Sequence, residues 1–154
     1  MKTIKINRPQ YVGVLAPLIQ KYWTKINEHK LNHVTYETLY AYFSQVVQFG
    51  GEMAEFWVCF DDEENPVGFA LWNVLPLPYQ GTVYCQHLFK IVKDHEVVLT
   101  LMKEFEEFGK KHHAPYYMFD AVNQPVANAI QKIGKEMDAD LIETGKIQFI
   151  GRLK

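Results

Sequence analysis

The residues best suited to chemistry lie in one apolar run, TVYCQHLFKIV, at positions 82–92. This composition predicts a β-strand, because β-branched and aromatic residues dominate it. His87 is the only side chain of the run whose ordinary pKa suits it to accept a proton near neutral pH. Cys85 precedes it by two residues, and strict alternation along a strand places both side chains on one face, as a Cys–His nucleophile pair requires. The alternatives are a histidine satisfied by hydrogen bonds beside the sheet and a buried structural thiol, which the apolar flanks of Cys85 favour.

Three other groups of residues carry donor atoms but lack the spacing of a metal site. The acidic residues of DDEEN at 61–65 are adjacent and not spaced as in a calcium loop, so they favour a solvated turn. His112 and His113 diverge by about 100° on a helix, which favours a solvated helix end. Cys59 and Cys85 form no CxxC pair. We therefore expect no bound metal.

Composition narrows the class of protein further. A chain of 154 residues with 48% hydrophobic residues fits one globular domain, which we predict to span residues 1–154. A net charge of −2 disfavours a nucleic-acid partner, because binding to phosphates needs clustered Lys and Arg. Residues 1–15 and the other apolar runs fall short of the roughly 20 residues that a membrane helix needs. We expect a cytoplasmic protein with reduced thiols.

The hydrophobic pattern switches several times between the helical and the strand period. Asn7 and Pro9 open the first helix, Thr35 caps the second, and a fourth helix starts near Asn123 and ends at Gly134. The predicted strands are 3–6, 54–60, 67–75, 82–92, 114–121 and two within 139–153, and the third helix covers 95–112. The pattern predicts the α/β (α+β) class: a mixed central sheet of about six to seven strands flanked by about four helices, with a right-handed parallel β-α-β unit at its centre.

This order of helices and strands, together with two stretches of sequence, resembles the GNAT superfamily of acyl-CoA N-acyltransferases. LMKEFEEFGKKHHA at 101–114 is similar to the helix that follows the cofactor loop of that family, and NQPVANAIQKIG at 123–134 is similar to its Asn-x-x-Ala helix. The resemblance spans almost the whole chain. It implies an N-acetyltransferase that uses acetyl-CoA and acts on an amine of a small molecule or a protein.

The cofactor loop departs from the family pattern, which is Arg or Gln, two residues, Gly, one residue, then Gly or Ala. Lys93, Glu96 and Val98 occupy the three marked positions, so both glycines are missing. Glu96 would bring negative charge where the pyrophosphate binds, whereas Asp94 as N-cap and Glu96 in the first turn suit the helix dipole. The cofactor-binding residues that the resemblance implies are Leu88 and Phe89 through their backbone, Lys93, Asp94, His95, Val97, Val98 and Asn123.

The resemblance also implies catalytic roles. The fourth strand holds the thioester, and His87 becomes the candidate base, directly or through a water. The tyrosine that protonates the departing thiolate in many members aligns with Ile130 and is missing here. Tyr116, or its neighbour Tyr117, is the candidate that supplies a hydroxyl in its place.

Two functions remain open from the sequence. The first is the acetyltransferase. The second is a catalytically silent GNAT-fold binding module that contacts a protein partner or an assembly, including a second copy through an exposed strand near FIGRL at 149–153. The chain also resembles short bacteriophage GNAT-like proteins, which implies a degenerate loop, a viral origin and the host cytoplasm.

Overall fold

A computed structural model describes residues 1–27, 34–76, 81–120 and 124–138 of the chain. These residues belong to two compact units, Met1–Asp120 and Ala121–Lys154. The larger unit contains strands β1 (Lys2–Lys5), β2 (Ala54–Phe60), β3 (Pro66–Val74), β4 (Thr82–Lys90) and β5 (Tyr116–Phe119), a 3₁₀ helix (Pro9–Leu15), and helices α1 (Ala16–Asn27), α2 (Tyr36–Phe49) and α3 (Glu96–Lys111). The second unit contains α4 (Gln124–Glu136).

The five described strands form one mixed sheet in the order β1-β2-β3-β4-β5. All neighbours are antiparallel except β4 and β5, which are parallel and joined through α3. The predicted α+β class and the parallel β-α-β unit are therefore confirmed. The two further strands that the sequence predicts within 139–153 lie outside the described residues.

The two faces of the sheet bury different side chains. On the face packed against α1 and α2, which we call the front face, Phe43 of α2 stacks on Phe56, with their ring centroids 5.1 Å apart. On the face packed against α3, which we call the back face, the indole of Trp72 lies 5.2 Å from the ring of Phe105. Trp72, Phe43 and Phe56 are at most 1% exposed, so each face has an aromatic core of its own.

Gly68 allows α3 to approach the back face closely. A Cβ built at this position would lie 2.6 Å from Cγ1 of Val97 and 2.9 Å from the carbonyl oxygen of Phe89. A side chain there would displace the first turn of α3 or the backbone of β4, and such overpacking costs about 1–3 kcal/mol. The start of α3 is thus held against the part of β4 that follows His87.

The predicted helix ends are partly confirmed. Thr35 caps α2, because its hydroxyl oxygen accepts a hydrogen bond from the Thr38 amide at 3.1 Å. The segment after Pro9 begins as a 3₁₀ helix and becomes an α-helix only at Ala16. The prediction that Gly134 ends the fourth helix is wrong: α4 continues to Glu136, and the left-handed residue is Asp138, with φ of 55°. Aspartate adopts this conformation more readily than most residues, so no glycine is needed there.

Candidate functional site

Strands β4 and β5 run together for only part of their length. Their register starts at Thr82 opposite Tyr116 and ends at Cys85 opposite Phe119. Strand β4 continues to Lys90, so residues 86–90 have no β5 partner among the described residues. Backbone groups left open on one side of a strand are able to bind an extended ligand as an additional strand would. Leu88 and Phe89, the predicted backbone contacts for the acyl group, lie in this open stretch.

A β-bulge at Gln86 begins the open stretch. Trp72 of β3 is opposite Cys85, whereas the preceding Leu71 is opposite His87, so Gln86 is the extra residue of β4. The bulge resets the alternation of side chains. Cys85 shares the back face with Trp72, and His87 shares the front face with Leu71. The prediction that Cys85 and His87 lie on one face is therefore wrong, and the structure separates this pair of side chains.

His87 packs among aromatic rings of α1 and α2. Its ring centroid is 5.6 Å from that of Tyr22, 5.9 Å from that of Tyr42 and 5.6 Å from that of Phe43. The Tyr22 hydroxyl lies 2.6 Å from its Nδ1. Burial lowers the pKa of His87 to about 4, so the imidazole is neutral at physiological pH and a weak base. Next to it, the Tyr42 hydroxyl donates a hydrogen bond to Oε1 of Gln86 at 2.7 Å.

Cys85 is 5% exposed, and its thiol points to the His87 carbonyl oxygen at 3.6 Å. Burial raises the pKa of this thiol to about 12. The nucleophilic form of cysteine is the thiolate, which this environment suppresses. The structure thus favours a buried structural thiol.

The carboxylate of Asp120 lies at the point where β4 and β5 separate. Asp120 follows β5 directly, and one of its oxygens accepts a hydrogen bond from the hydroxyl of Tyr84 on β4. Burial, followed by the bond to Asp120, raises the pKa of Tyr84, which keeps this phenol protonated as a donor. Tyr84 is opposite Asn73, which neighbours Trp72 in β3, so its side chain is on the front face with His87. Asp120 is exposed, and its remaining lone pairs are open to a ligand.

The loop before α3 is organised by its own side chains. The N-cap of α3 is His95, whose side chain makes no capping hydrogen bond, so the prediction of Asp94 as N-cap is wrong by one residue. The carboxylate of Asp94 instead accepts a hydrogen bond from the amide of Glu96, the first residue of the helix, at 2.9 Å. The ammonium group of Lys90 donates to the carbonyl oxygens of Lys93 and Asp94, at 3.2 and 2.8 Å. One of the amides that a phosphate would bind at the helix start is therefore already bound to a carboxylate.

The side chain of Glu96 is close in space to the amino group of Met1. The Asp62 carboxylate raises the pKa of the Met1 amine most strongly, and the negative charge of Glu96 raises it further. The side chain of Glu96 is exposed. The Met1 ammonium is therefore within electrostatic reach of Glu96 but forms its ion pair with Asp62.

The remaining predicted site residues fall in three places. Lys93 and His95 are exposed in the loop, whereas the side chains of Val97 and Val98 are buried beneath α3, at 0% and 6% exposure. Tyr116 is 71% exposed at the first residue of β5 and pairs with Thr82, about five strand residues from His87. The structure does not bring the two predicted catalytic side chains together. Asn123 lies outside the described residues.

Sequence reasoning missed Tyr22, Tyr84 and Asp120. Asp120 carries a signal that it overlooked, because an acidic residue directly after a parallel strand stands at the carboxyl edge of the sheet, where ligands of such sheets bind. Tyr22 and Tyr84 carry none, since each is one of nine tyrosines and each partner is distant in sequence.

The described residues contain neither a metal-binding cluster nor a helix that could span a membrane. No group of three or more His, Cys, Asp or Glu side chains in the described ranges is placed to hold a metal ion. No described helix combines the length and the apolar character needed to cross a membrane.

Comparison with known proteins identifies the architecture. No protein-family model and no curated protein matches the chain. Among solved structures, a probable acetyltransferase is similar over 100% of this chain and 99% of its own, with a TM-score of 0.72 at 14% identity. AAC(6')-Iy in complex with the bisubstrate analogue CoA-S-monomethyl-acetylneamine is similar over 99% and 98%, with a TM-score of 0.70 at 14% identity. Ribosomal-protein-alanine N-acetyltransferase from Brucella melitensis biovar Abortus 2308 is similar over 99% and 100%, with a TM-score of 0.64 at 15% identity. Identities this low show the fold alone.

Proposed function

We propose that this chain, which has the fold of the GNAT acetyltransferases, transfers an acetyl group from acetyl-CoA to an amine. The observation that carries the proposal is the opening between β4 and β5, with the Gln86 bulge at its start and Asp120 beside it. The neighbour AAC(6')-Iy, bound to an analogue that joins CoA to an acetylated aminoglycoside, supports the choice of donor and of an amine acceptor. The same likenesses, which cover nearly all of the chain, support one domain spanning residues 1–154.

In this reaction the acceptor nitrogen attacks the thioester carbon, the C–S bond breaks, and the CoA sulfur leaves as a thiolate. An amine that arrives as its ammonium first releases one proton to solvent, which frees the lone pair for this attack. The second proton that the nitrogen loses ends on the sulfur, so the products are an N-acetyl amine, the free thiol and one proton in solvent. The thioester carbonyl lies along residues 86–90, where a backbone amide that faces the open edge polarises it. Of the two predicted contacts Leu88 is the one so directed, because the Ile91 amide donates to Val67 of β3 and alternation turns the Phe89 amide to β3 as well. Backbone donors serve this purpose whatever the side chains are.

The chain fits the pantetheine part of acetyl-CoA better than its pyrophosphate. The open edge of β4 suits an extended pantetheine. At the start of α3, Asp94 already accepts the Glu96 amide, and the buried Val97 and Val98 would contribute through their backbone. We propose that the exposed Lys93 contacts a phosphate through its side chain and that the loop supplies little more. His95 and Asn123 remain candidate cofactor contacts.

Asp120 is the residue that we assign to the acceptor. A carboxylate attracts the cationic form of an amine and accepts a hydrogen bond from it, and Tyr84 fixes its orientation. The acceptor is therefore an amine that is cationic at neutral pH, on a small molecule or at a protein N-terminus. His87 is a weak base here, and Tyr116 stays a candidate source of the thiolate proton. The setting that we propose is the cytoplasm, in which thiols such as Cys85 stay reduced.

Two measurements test the proposal. Calorimetric titration with acetyl-CoA should give binding in the micromolar range that weakens with Lys93→Ala. Acetyl transfer to an aminoglycoside and to a peptide with an N-terminal alanine should then be measured for wild type and Asp120→Asn. We expect kcat/KM to fall by at least about 10-fold in this variant, because the charged hydrogen bond to the acceptor contributes about 1.5–3 kcal/mol.

Asp62→Asn is the matched control, because Asp62 is an exposed carboxylate in the turn between β2 and β3 that binds only the Met1 amine among the described residues. It should leave kcat/KM unchanged. No heat of binding up to millimolar acetyl-CoA would overturn the proposed function, and unchanged transfer by Asp120→Asn would overturn the role of Asp120.

One observation favours a second candidate, the catalytically silent binding module. The carboxylate of Asp94 holds the helix amide that a pyrophosphate would otherwise bind. In that case the fold serves contact with a protein partner, and a viral origin fits such a degenerate loop. The titration separates the two functions, since only the enzyme must bind acetyl-CoA.

A further inference from the structure

The hydrogen bond between Tyr22 and His87 joins α1 to the bulged part of β4. The Tyr22 hydroxyl and Nδ1 of His87 are 2.6 Å apart, with the two rings nearly perpendicular at 84°. A phenol and a neutral imidazole can share a hydrogen in two ways. The hydroxyl donates to an unprotonated Nδ1, or a protonated Nδ1 donates to the phenolic oxygen.

The surroundings of Tyr22 decide between the two arrangements. Burial raises the pKa of Tyr22 to about 12, so its oxygen carries a hydrogen at physiological pH. Nδ1 of His87 is the only hydrogen-bond partner that the hydroxyl has among the described residues. If Nδ1 were protonated, the hydroxyl hydrogen of Tyr22 would have no acceptor in this half-buried aromatic environment. Leaving a donor of this kind without a hydrogen bond destabilises the folded state.

The other ring nitrogen then carries the proton of the neutral imidazole. Nε2 makes no hydrogen bond to a described residue. The described polar side-chain atoms that are sealed from solvent without a partner are Nε1 of Trp72, Oδ1 of Asn73 and Nε2 of His112, so Nε2 of His87 is not one of them. In this tautomer Nε2 is the nitrogen through which His87 would donate to a ligand.

We infer that Tyr22 is a positioning residue that holds His87 in the tautomer protonated on Nε2, so that His87 serves as a neutral hydrogen-bond donor in the transfer and not as its base. The inference rests on the proposed function for the reaction itself. His87 belongs to the open stretch of β4 where the thioester is proposed to lie, and a neutral N–H donor suits the negative charge that develops on the carbonyl oxygen. The lone pair that a base needs is already used, because it accepts the hydrogen of Tyr22.

The first test is spectroscopic and needs no substrate. Long-range ¹H–¹⁵N correlation of the imidazoles of ¹⁵N-labelled protein at pH 7.5 should show His87 with an unprotonated Nδ1 and a protonated Nε2. In Tyr22→Phe the ring remains but the donor is removed, so both nitrogen shifts should move towards the average of the two tautomers. Tyr42→Phe is the matched control, because Tyr42 also packs its ring on His87 but donates to Gln86. It should leave the tautomer unchanged.

The second test is kinetic. With acetyl-CoA and an amine that the wild type acetylates, Tyr22→Phe should lower kcat by about 10-fold, while the acid limb of the kcat profile keeps its position on the pH axis. A limb that shifts with Tyr22→Phe would show that the titration of His87 controls the rate, as for a base, and would overturn the inference. A wild-type spectrum with Nδ1 protonated would overturn it as well, as would a Tyr22→Phe spectrum identical to wild type.

The tests distinguish a failure of the proposed function from a failure of the tautomer inference. If the wild type neither binds acetyl-CoA nor acetylates an amine, both the proposed function and the role of His87 in the reaction are contradicted. The spectrum still decides the tautomer of His87 in that case. If the chain is active but His87 has the other tautomer, only the inference falls.

Discussion

Cys85 and His87 stand two residues apart on β4, and burial drives both towards the neutral form. It raises the pKa of the Cys85 thiol to about 12 and lowers that of the His87 imidazole to about 4. At neutral pH the strand therefore carries neither a thiolate nor an imidazolium, and its chemistry rests on hydrogen-bond donors. Asp120, at the end of the neighbouring strand, is the charged group that we propose attracts an amine.

The first prediction concerns the thiol of Cys85. Iodoacetamide at pH 8 should alkylate Cys85 in the folded protein at least about 100-fold more slowly than in the chain unfolded in urea, because the thiolate is suppressed and the side chain is 5% exposed. Mass spectrometry of the peptides after timed quenching measures the rate separately from that of Cys59. Equal rates in the two states would show that the site is open and the thiol reactive.

At the scale of elements, the stability of α3 and the proposed binding of the cofactor make opposite demands on the N-terminus of this helix. Asp94 stabilises the helix through the Glu96 amide, and the same carboxylate would repel the pyrophosphate of the proposed cofactor. Two like charges about 4 Å apart cost about 1 kcal/mol in water and about 4 kcal/mol near a protein surface. If acetyl-CoA binds as proposed, the loop gains helix stability at the expense of affinity for the phosphates.

Replacing Asp94 should separate these two effects. Asp94→Ala should lower the free energy of unfolding by about 1 kcal/mol, since it removes the hydrogen-bond acceptor of the Glu96 amide. It should tighten acetyl-CoA binding about 10-fold, since it removes a charge and frees an amide. Urea denaturation and calorimetry measure the two quantities. Thr35→Ala is the control: it removes the cap of α2, through the Thr38 amide, with a similar loss of stability and no change in affinity. Binding that is weaker or unchanged in Asp94→Ala would mean that the carboxylate does not face the phosphates.

The elements whose signals are local could be predicted from the sequence. The Thr35 cap, the hairpin of β2 and β3 and the apolar stripe of α3 each depend on residues within one turn or one strand. The bulge at Gln86 could not be predicted, because it depends on how β4 aligns with β3, and a shift of one residue moves side chains to the other face. The bonds from Tyr22 to His87 and from Tyr84 to Asp120 join residues 65 and 36 positions apart, so the candidate site became visible only in three dimensions.

At the scale of the whole molecule, buried titratable groups link stability to pH. His87 has a pKa of about 4 in the folded chain and an ordinary value of 6.5. Since its folded pKa is depressed, the unfolded chain binds a proton that the folded chain does not, and the stability present above pH 6.5 is lost as the pH falls towards 4. Glu55 adds to this loss at lower pH. Burial alone would raise its pKa, but hydrogen bonds from Lys5 and Trp57 lower it below 4.5, so its contribution is lost as the pH falls below that value.

We therefore predict that the free energy of unfolding falls by about 2 kcal/mol between pH 7 and pH 5 through His87 alone. Urea denaturation at half-unit steps of pH measures it for the wild type and for His87→Gln, which keeps a polar side chain opposite Tyr22 and cannot titrate. His87→Gln should be less stable at pH 7 and should lose about 2 kcal/mol less on acidification. His95→Gln, which replaces an exposed histidine of the loop, should follow the wild-type curve. Parallel curves for wild type and His87→Gln would show that His87 binds its proton equally well in the folded and unfolded chains, and that the aromatic enclosure formed by α1 and α2 is open to water.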